Sequence, residues 1–506
     1  MRLRNLTTSA VTTAAATALL GAASLAPAAG STATDRHTLT ATPLTTWQTD
    51  GIVWSVAYAR GIVYVGGAFD NVRPPGANPG EREVARKDFA AFDAVTGALL
   101  PCAHSFTGAE DSVRVLKPSP DGSALYIGGS FGSVDRTDVA SAVALRTADC
   151  SLRKDFRPAV SATVRAIDTT DRAVYLGGDF TAVDGRTRKH IAALTPTGSL
   201  LPFAADIDKP VRAVLAAPDH GKILVGGDFN EVNGDDQHAL VALHPTTGAT
   251  VSSYPQWLPK RSVVMSLARD GGTFYLGAEG RGGGVFDGRV AGRLSDDRML
   301  WKDTCLGATQ VVLPYNGLLY SGSHAHDCHK TPGGFPDSNK RWPLLAQSTT
   351  DKTLQHWFPD TNGGLGEGVG PRTMVMADGI LWVGGEFTQV NDKPQQGLTR
   401  FGTASGPGPE EVPTLSVSAS RTGRVTLGWD ATWDRDDAVL TYTLYRDGVR
   451  LASLRQRSAP WDRPRMTYTD MVPAGSSHWY RIAVSDGTHT VPRSVPGTPF
   501  AQDSSR

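Results

Sequence analysis

Seven times along this chain a short apolar run ends in two small residues. The copies are Val63-Tyr-Val-Gly66-Gly67-Ala-Phe69, Leu125-Tyr-Ile-Gly128-Gly129-Ser-Phe131, Val174-Tyr-Leu-Gly177-Gly178-Asp-Phe180 and Ile223-Leu-Val-Gly226-Gly227-Asp-Phe229. Two weaker copies follow, Phe274-Tyr-Leu-Gly277-Ala278-Glu and Leu319-Tyr-Ser-Gly322-Ser323-His, and Leu381-Trp-Val-Gly384-Gly385-Glu-Phe387 closes the set. Successive copies lie about 45 to 62 residues apart, the period of a repeated supersecondary unit. Such a pattern constrains architecture strongly and chemistry weakly.

The fourth unit shows the pattern of one repeat. Val211–Leu215, Ile223–Phe229, Ala239–Leu243 and Thr250–Tyr254 read as four short strands, with a Pro245-Thr-Thr-Gly248 turn before the last. Four strands in about 45 residues is the size of a propeller blade. The seventh unit has three strands and then runs out, while the N-terminal segment holds an orphan piece, Leu44-Thr-Thr-Trp47-Gln-Thr-Asp50. The expected fold is all-β: a seven-bladed β-propeller over 44–402, its last blade completed by residues 44–49. Six or eight blades remain open if the fifth and sixth units are misread. The glycine pairs are expected to allow close packing between sheets or a bulge. Asp179, Asp228 and Glu386, just after the pairs, are expected to accept local turn hydrogen bonds.

With its Gly-Gly-x-Phe-x-x-Val core, this repeat resembles the bacterial β-propeller proteins of the delta-60 repeat type, common among secreted actinobacterial proteins. The resemblance implies a propeller and an extracellular setting. It implies no single activity, because propellers host many.

The flanking segments add to this outline. Arg2 and Arg4 precede an apolar stretch from Val11 to Leu25, and Ala26-Pro27-Ala28 is a small-x-small cleavage pattern, so 1–28 reads as a signal peptide. Residues 29–43 are expected to be a flexible segment. Lysine plus arginine equals aspartate plus glutamate, 50 each, which leaves no electrostatic footprint for nucleic acid or an anionic membrane. No second apolar run is long enough to span a bilayer, so no membrane insertion is expected. A secreted, extracellular location makes the four cysteines meaningful. Cys305 and Cys328 fall on connections expected at one face and are expected to pair. Cys102 and Cys150 pair by exclusion, although their repeat positions nominally lie on opposite faces; two free thiols are the alternative.

Residues 403–411 are Pro/Gly-rich and read as a linker. Seven alternating strands over 412–498 fit a small β-sandwich, with 499–506 as a tail. Trp429 and Tyr480 look like the core tryptophan and corner tyrosine of a fibronectin type III domain, which implies a spacer or binding module. Its acidic loop, Asp430 to Asp437, reads as solvated, with an ion site as the alternative.

The longest insertions, Arg73–Val84, Thr331–Arg341 and Pro359–Pro371, fall on connections that share one propeller face. Loop variation on a rigid scaffold is where binding usually resides. The candidate binding residues there are Trp342, Trp357, Asp337, Asp360, Asn362, Glu367 and Arg372. The two tryptophans could stack on sugar rings or serve as core between blades. In the sixth unit, His324, His326, Asp327 and His329 form a candidate divalent-metal set; polar loop residues beside a disulfide are the alternative. No HExxH pattern marks a hydrolytic zinc site. The leading expectation is a secreted, non-catalytic binding protein for an extracellular polysaccharide, cell-wall or protein ligand. A secreted glycosidase is the alternative, and a structural surface protein the third.

Overall fold

A computed structural model describes residues 39–108, 110–280, 284–404, 406–420 and 422–491. The expected signal peptide and C-terminal tail lie outside them. Among the described residues the one helical element is a 3₁₀ turn, Pro218–His220, and no helix is long and apolar enough to cross a membrane. The rest of the regular structure is antiparallel strand.

Each copy of the repeat becomes the middle of an antiparallel sheet. In the first sheet Ile62–Ala68 pairs with Ile52–Ala59 on one side and Phe89–Asp93 on the other. The second sheet orders Ser112–Pro118, Ala124–Ser130 and Ala142–Arg146, and the third Val164–Thr169, Val174–Gly178 and Ile191–Leu194. The sixth and seventh are built alike, around Leu318–Ala325 and Ile380–Gly385. The expected four-stranded ladder is complete only in the fourth and fifth sheets, where Thr250–Ser253 and Met299–Asp303 are the outer strands. Elsewhere the outer strand shrinks to a single bridge, such as Phe92 with Leu99 or Leu145 with Leu152. The apolar middle strands are fully buried, so the ladder through them is kept. The outermost segment faces solvent on one side and gains less from regular pairing.

The first glycine of each pair explains how sheets meet. A Cβ on Gly66 would collide with Val113 of the next sheet, on Gly128 with Val164, on Gly177 with Val211 and on Gly226 with Val264. The series continues from Gly277 to Thr309 and from Gly322 to Pro371, and Gly384 meets Val53 of the first sheet. Close sheet-to-sheet approach, expected from the small residues, is what they provide. The following Phe69, Phe131, Phe180, Phe229 and Phe387 are buried. In the second sheet Phe131 accepts a backbone hydrogen bond from Ser141, and Ser141 accepts one from Gly129. Ser141 has φ 62, and His190, Ala239 and Gly397 occupy the same left-handed position in their sheets.

One set of connections forms a second layer of short pairings. The segment leading into six of the seven sheets pairs, among the described residues, with the loop between that sheet's second and third strands: Val160 with Val183, Ile207 with Val232, Leu306 with Asp327, and Thr361 with Val390. Phe106 and Thr49 make the equivalent pairings with Val134 and Val72. The two kinds of connection therefore share one face, as the placement of the long insertions requires.

The N-terminal segment does cover the seventh sheet, but earlier in the chain than expected. Thr40 donates to Gly402, Pro43 bridges Phe401, and Leu44 donates to Arg400. Residues 39–43, expected to be flexible, hold buried Leu39 and Ala41. Their apolar side chains fill a gap beside Phe401 and Trp357 that residues 44–49 do not reach. Residues 44–49 also stay against the seventh sheet as expected: Thr45 and Thr46 accept from Arg400, and Thr49 donates to Gln396 while Gln48–Thr49 pairs with Val72 and Arg73; Trp47 packs on Phe92.

Both expected disulfides are present, Cys305–Cys328 with Cα atoms 4.0 Å apart and Cys102–Cys150 at 5.6 Å. The apparent clash of faces at the second pair disappears because the outer strand of the first sheet ends at the Leu99 bridge. Cys102 then sits at the rim beside the turn that carries Cys150.

Beyond the Pro/Gly-rich break, seven strands form two sheets. Ser416–Ala419, Arg424–Asp430 and Arg465–Met471 make one; Val449–Arg457, Val439–Arg446, Tyr480–Ser485 and Thr490–Val491 make the other. Trp429, Leu427, Tyr442 and Ile482 fill the space between them. This sandwich is not a loose spacer. Trp461 packs on Phe358 at 4.9 Å, Phe335 at 5.1 Å and Trp342 at 5.6 Å between ring centroids. Phe358 also donates a backbone hydrogen bond to Arg435.

Candidate functional site

All seven sheets carry a β-bulge at the same place, near the start of the first strand. The register slips between Val53 and Ser55, Val113 and Val115, Val164 and Ala166, and Val211 and Ala213. It slips again between Val264 and Ser266, Thr309 and Val311, and Pro371 and Thr373. A bulge leaves one residue unpaired and re-aims its side chain. The extruded residues are Trp54, Arg114, Arg165, Arg212, Met265, Gln310 and Arg372, and all seven line one cavity of about 210 Å³. Glu279 and Glu367 complete its wall.

The residue after each small pair stands next to the bulge. In chain order these are Ala68, Ser130, Asp179, Asp228, Glu279, His324 and Glu386. Three of them brace arginines. Asp179 accepts two hydrogen bonds of 2.6 Å from Arg165, and Asp228 accepts from Arg212 at 2.8 and 3.2 Å. Glu386, fully buried, accepts from Arg372 at 3.1 Å and from the backbone N–H groups of Glu367 and Val369 at 2.8 Å. Glu386 thus accepts backbone bonds, but from a loop 17 and 19 residues earlier and not from its own turn as expected. Asp179 and Asp228 are instead turned to their arginines, because the bulge brings a guanidinium within reach. Burial works against the charge on Arg212, but the hydrogen bonds and charge of Asp228 outweigh it and lift its pKa.

Charge is not paired evenly around the cavity. The first two sheets have Ala68 and Ser130, and the sixth His324, where the other four have acids. Arg114 accordingly has no ion-pair partner among the described residues; its Nε donates to Ser112 at 2.9 Å and its guanidinium lies 4.3 Å from the centre of the Trp54 ring. Burial, and next the nearby charge of Arg165, lower its pKa. Trp54 also has Arg372 at 5.1 Å, and its indole N–H is buried without a partner among the described residues. On the other side, Glu279 accepts from the Gln310 amide at 2.6 Å and has no ion pair among the described residues.

Of the candidate binding residues, Glu367 and Arg372 line this cavity, joined at 2.9 Å. Asn362 supports the loop that carries Glu367, its Oδ1 accepting from the backbone of Thr388 and Gln389. The rest are elsewhere. Trp357 is fully buried against Tyr320 and Phe401, so it is core and offers no face to a sugar. Trp342 is buried beneath Trp433 and Trp461 of the sandwich. Asp360 is buried and paired with Lys340, and Asp337 is exposed beside His326.

The proposed metal ligands do not converge. His329 turns to Asp327 at 2.6 Å and His326 to Asp337 at 3.2 Å. His324 occupies the acid position of the sixth sheet, where burial and then the charges of Arg341 and His326 push it down to about 4. Alternation along the strand places His324 and His326 on one side, but a register irregularity between Gly322 and Ala325 breaks that alternation. Among the described residues the one trio of such side chains whose ligand atoms fall within 4.8 Å is Asp434, Asp437 and Asp486, in the sandwich. The Asp430–Asp437 loop, read as solvated, is partly buried there: Asp434 is 2% exposed, and burial with a hydrogen bond to Asp436 raises its pKa to about 8.

A larger cavity of about 560 Å³ lies at the rim beside Cys102–Cys150, with Ile62, Tyr64 and Leu100 as apolar wall. His104 is held there between Asp135 at 2.6 Å and the Cys150 carbonyl at 2.7 Å.

Of the seven bulge residues only Arg372 was named from the sequence; the other six were missed, although a signal was present. Arginine follows Val113, Val164, Val211 and Pro371 at one repeat position. Simple strand alternation gives that arginine no special direction; only the bulge aims it inward.

Fold and site together define an all-β, propeller-type repeat protein with a charged cavity built by its innermost strands. No protein-family model matches the chain, and no curated protein does. Among solved structures it is similar to a chain in the crystal structure of the mitotic checkpoint complex, at 15% identity and TM-score 0.45, covering 77% of this chain and 99% of that one. It is also similar to the crystal structure of Saccharomyces cerevisiae Sqt1, at 10% identity and TM-score 0.41, covering 73% and 100%. At these scores neither likeness speaks to what this chain binds.

Proposed function

We propose that this chain is a secreted, non-catalytic binding protein that takes its ligand at the bulge-lined cavity. In this reading residues 40–402 form a seven-bladed β-propeller of the delta-60 repeat type, closed by the N-terminal segment at Thr40–Leu44. A signal peptide, 1–28, precedes it, and a fibronectin type III-like sandwich, 412–498, follows. The packing of Gly384 on Val53 supports closure, and the three-plus-four strand order supports the sandwich assignment. Two disulfides favour an oxidising compartment.

The observation that carries the functional reading is the convergence of one extruded side chain from every sheet on a single cavity. Packing alone does not call for four arginines at equivalent positions. Buried charges are costly unless they meet partners, and sites of this kind are typically functional. The ligand is an extracellular polysaccharide, cell-wall fragment or protein group small enough, at its tip, to enter. A glycosidase needs two carboxylates free to act across one bond; Glu367 is tied to Arg372, which disfavours turnover.

A glycan array and a peptidoglycan-fragment binding assay, each run with a reducing-sugar release assay, test this. Saturable binding without release, lost in Trp54→Ala, is the expected result. Turnover would replace the reading with the hydrolase, and binding untouched by Trp54→Ala would move the site elsewhere.

A further inference from the structure

Resting on that reading of the cavity, we propose that its occupant is a small zwitterionic group, with a carboxylate received at Arg114 and an ammonium at Glu279. Three of the four arginines already have carboxylates of the protein: Arg165 with Asp179, Arg212 with Asp228, and Arg372 with Glu386 and Glu367. That leaves one cation and one anion on the wall without an ionic partner among the described residues. They stand on different sheets, the second and the fifth, and no ion pair joins them among the described residues.

The two ends differ in chemistry as well as sign. Around Arg114 the available groups are donors. Its guanidinium has further N–H groups beyond the one given to Ser112, and the Trp54 indole N–H is buried without an acceptor among the described residues. A carboxylate satisfies both, and guanidinium–carboxylate pairing is among the strongest hydrogen-bonded contacts. At the other end Glu279 accepts one hydrogen bond from Gln310 and has acceptor capacity left over. An ammonium fills it; a second carboxylate would be repelled. Met265 lies between the polar groups of the fourth and sixth sheets and offers an adaptable apolar contact. The volume of about 210 Å³ admits one amino acid, or one terminal residue of a longer chain.

The test is a titration of the intact protein, followed by Trp fluorescence and calorimetry, with four probe sets. These are the free α-amino acids of both hands, their N-acetyl derivatives, their carboxamides, and neutral oligosaccharides. At least one free amino acid should saturate the protein, and both its N-acetyl and carboxamide forms should bind at least tenfold more weakly. Arg114→Ala and Glu279→Gln should each lose tenfold or more for the zwitterion. For the carboxamide, Arg114→Ala should change little; for the N-acetyl form, Glu279→Gln should change little. Equal binding of free and N-acetyl forms, or tight binding of neutral oligosaccharides unaffected by either variant, overturns the charge assignment while leaving the cavity as a binding site. Silence from all four sets overturns both.

Discussion

Gly384 of the seventh sheet lies against Val53 of the first, so close that a methyl group on the glycine would occupy the space of the valine side chain. The same contact joins Gly66 to Val113 and each later sheet to its successor. One small residue per sheet thus sets the spacing of the whole array.

Replacing Gly384 with alanine should therefore destabilise the protein by about 1–3 kcal/mol, the usual cost of overpacking a core. Gly272, with no atom near its absent Cβ, is the control, and Gly272→Ala should be close to neutral. Denaturant unfolding of both variants decides it. Equal midpoints would mean that the sheets are not in fixed contact.

Removing residues 39–45 should expose the edge of Leu398–Phe401 and lose the burial of Leu39 and Ala41. A loss of about 3 kcal/mol, with concentration-dependent aggregation, is expected. Thermal melts and light scattering of the truncated chain are the measurement. A monomeric, fully stable truncation would contradict the pairing.

The Cys102→Ala, Cys150→Ala double variant should lose about 2–4 kcal/mol. The Cys305 and Cys328 pair spans 23 residues against 48 for the first pair, so its removal should cost about 0.6 kcal/mol less on chain entropy. Unfolding in the presence and absence of reductant, with each double variant, separates the two.

Asp434 gives a pH dependence of definite sign. Its folded pKa is raised to about 8 from an unfolded value near 3.8. The folded protein then holds a proton that the unfolded chain has released. The contribution is fully present below about pH 4 and is lost as pH rises through about 8. Asp434→Asn should flatten this part of the profile and raise the melting temperature at pH 9 relative to the parent. A steeper decline in the variant would reverse the sign of the effect.

Much of the architecture is legible because it is written in local pattern. Apolar runs ending at Gly66, Gly128, Gly177 and the later copies mark buried middle strands. The weak fifth and sixth copies still formed sheets, because Gly277 and Gly322 keep the one small residue that the close approach needs. The outer strands were over-read, since sequence shows their propensity and not how little they bury. The two roles open to the tryptophans, sugar platform or core, divide for a related reason, and burial decides for core. Trp342 and Trp357 look like exposed platforms in a loop-rich stretch until the sandwich and the N-terminal segment are in place over them.

The site divides along the same line. Glu367 and Arg372 could be named from their loop and its position alone. Trp54, Arg114 and Glu279 could not, since a side chain's direction in a strand alternates from residue to residue, and a single extra residue reverses it. Repeat, strand and cysteine positions are properties of neighbouring residues, and the chain encodes them directly. Which charges meet, which remain without a partner, and what the seven extruded side chains enclose depend on atoms far apart in the sequence. Those relations come into being only when the sheets pack.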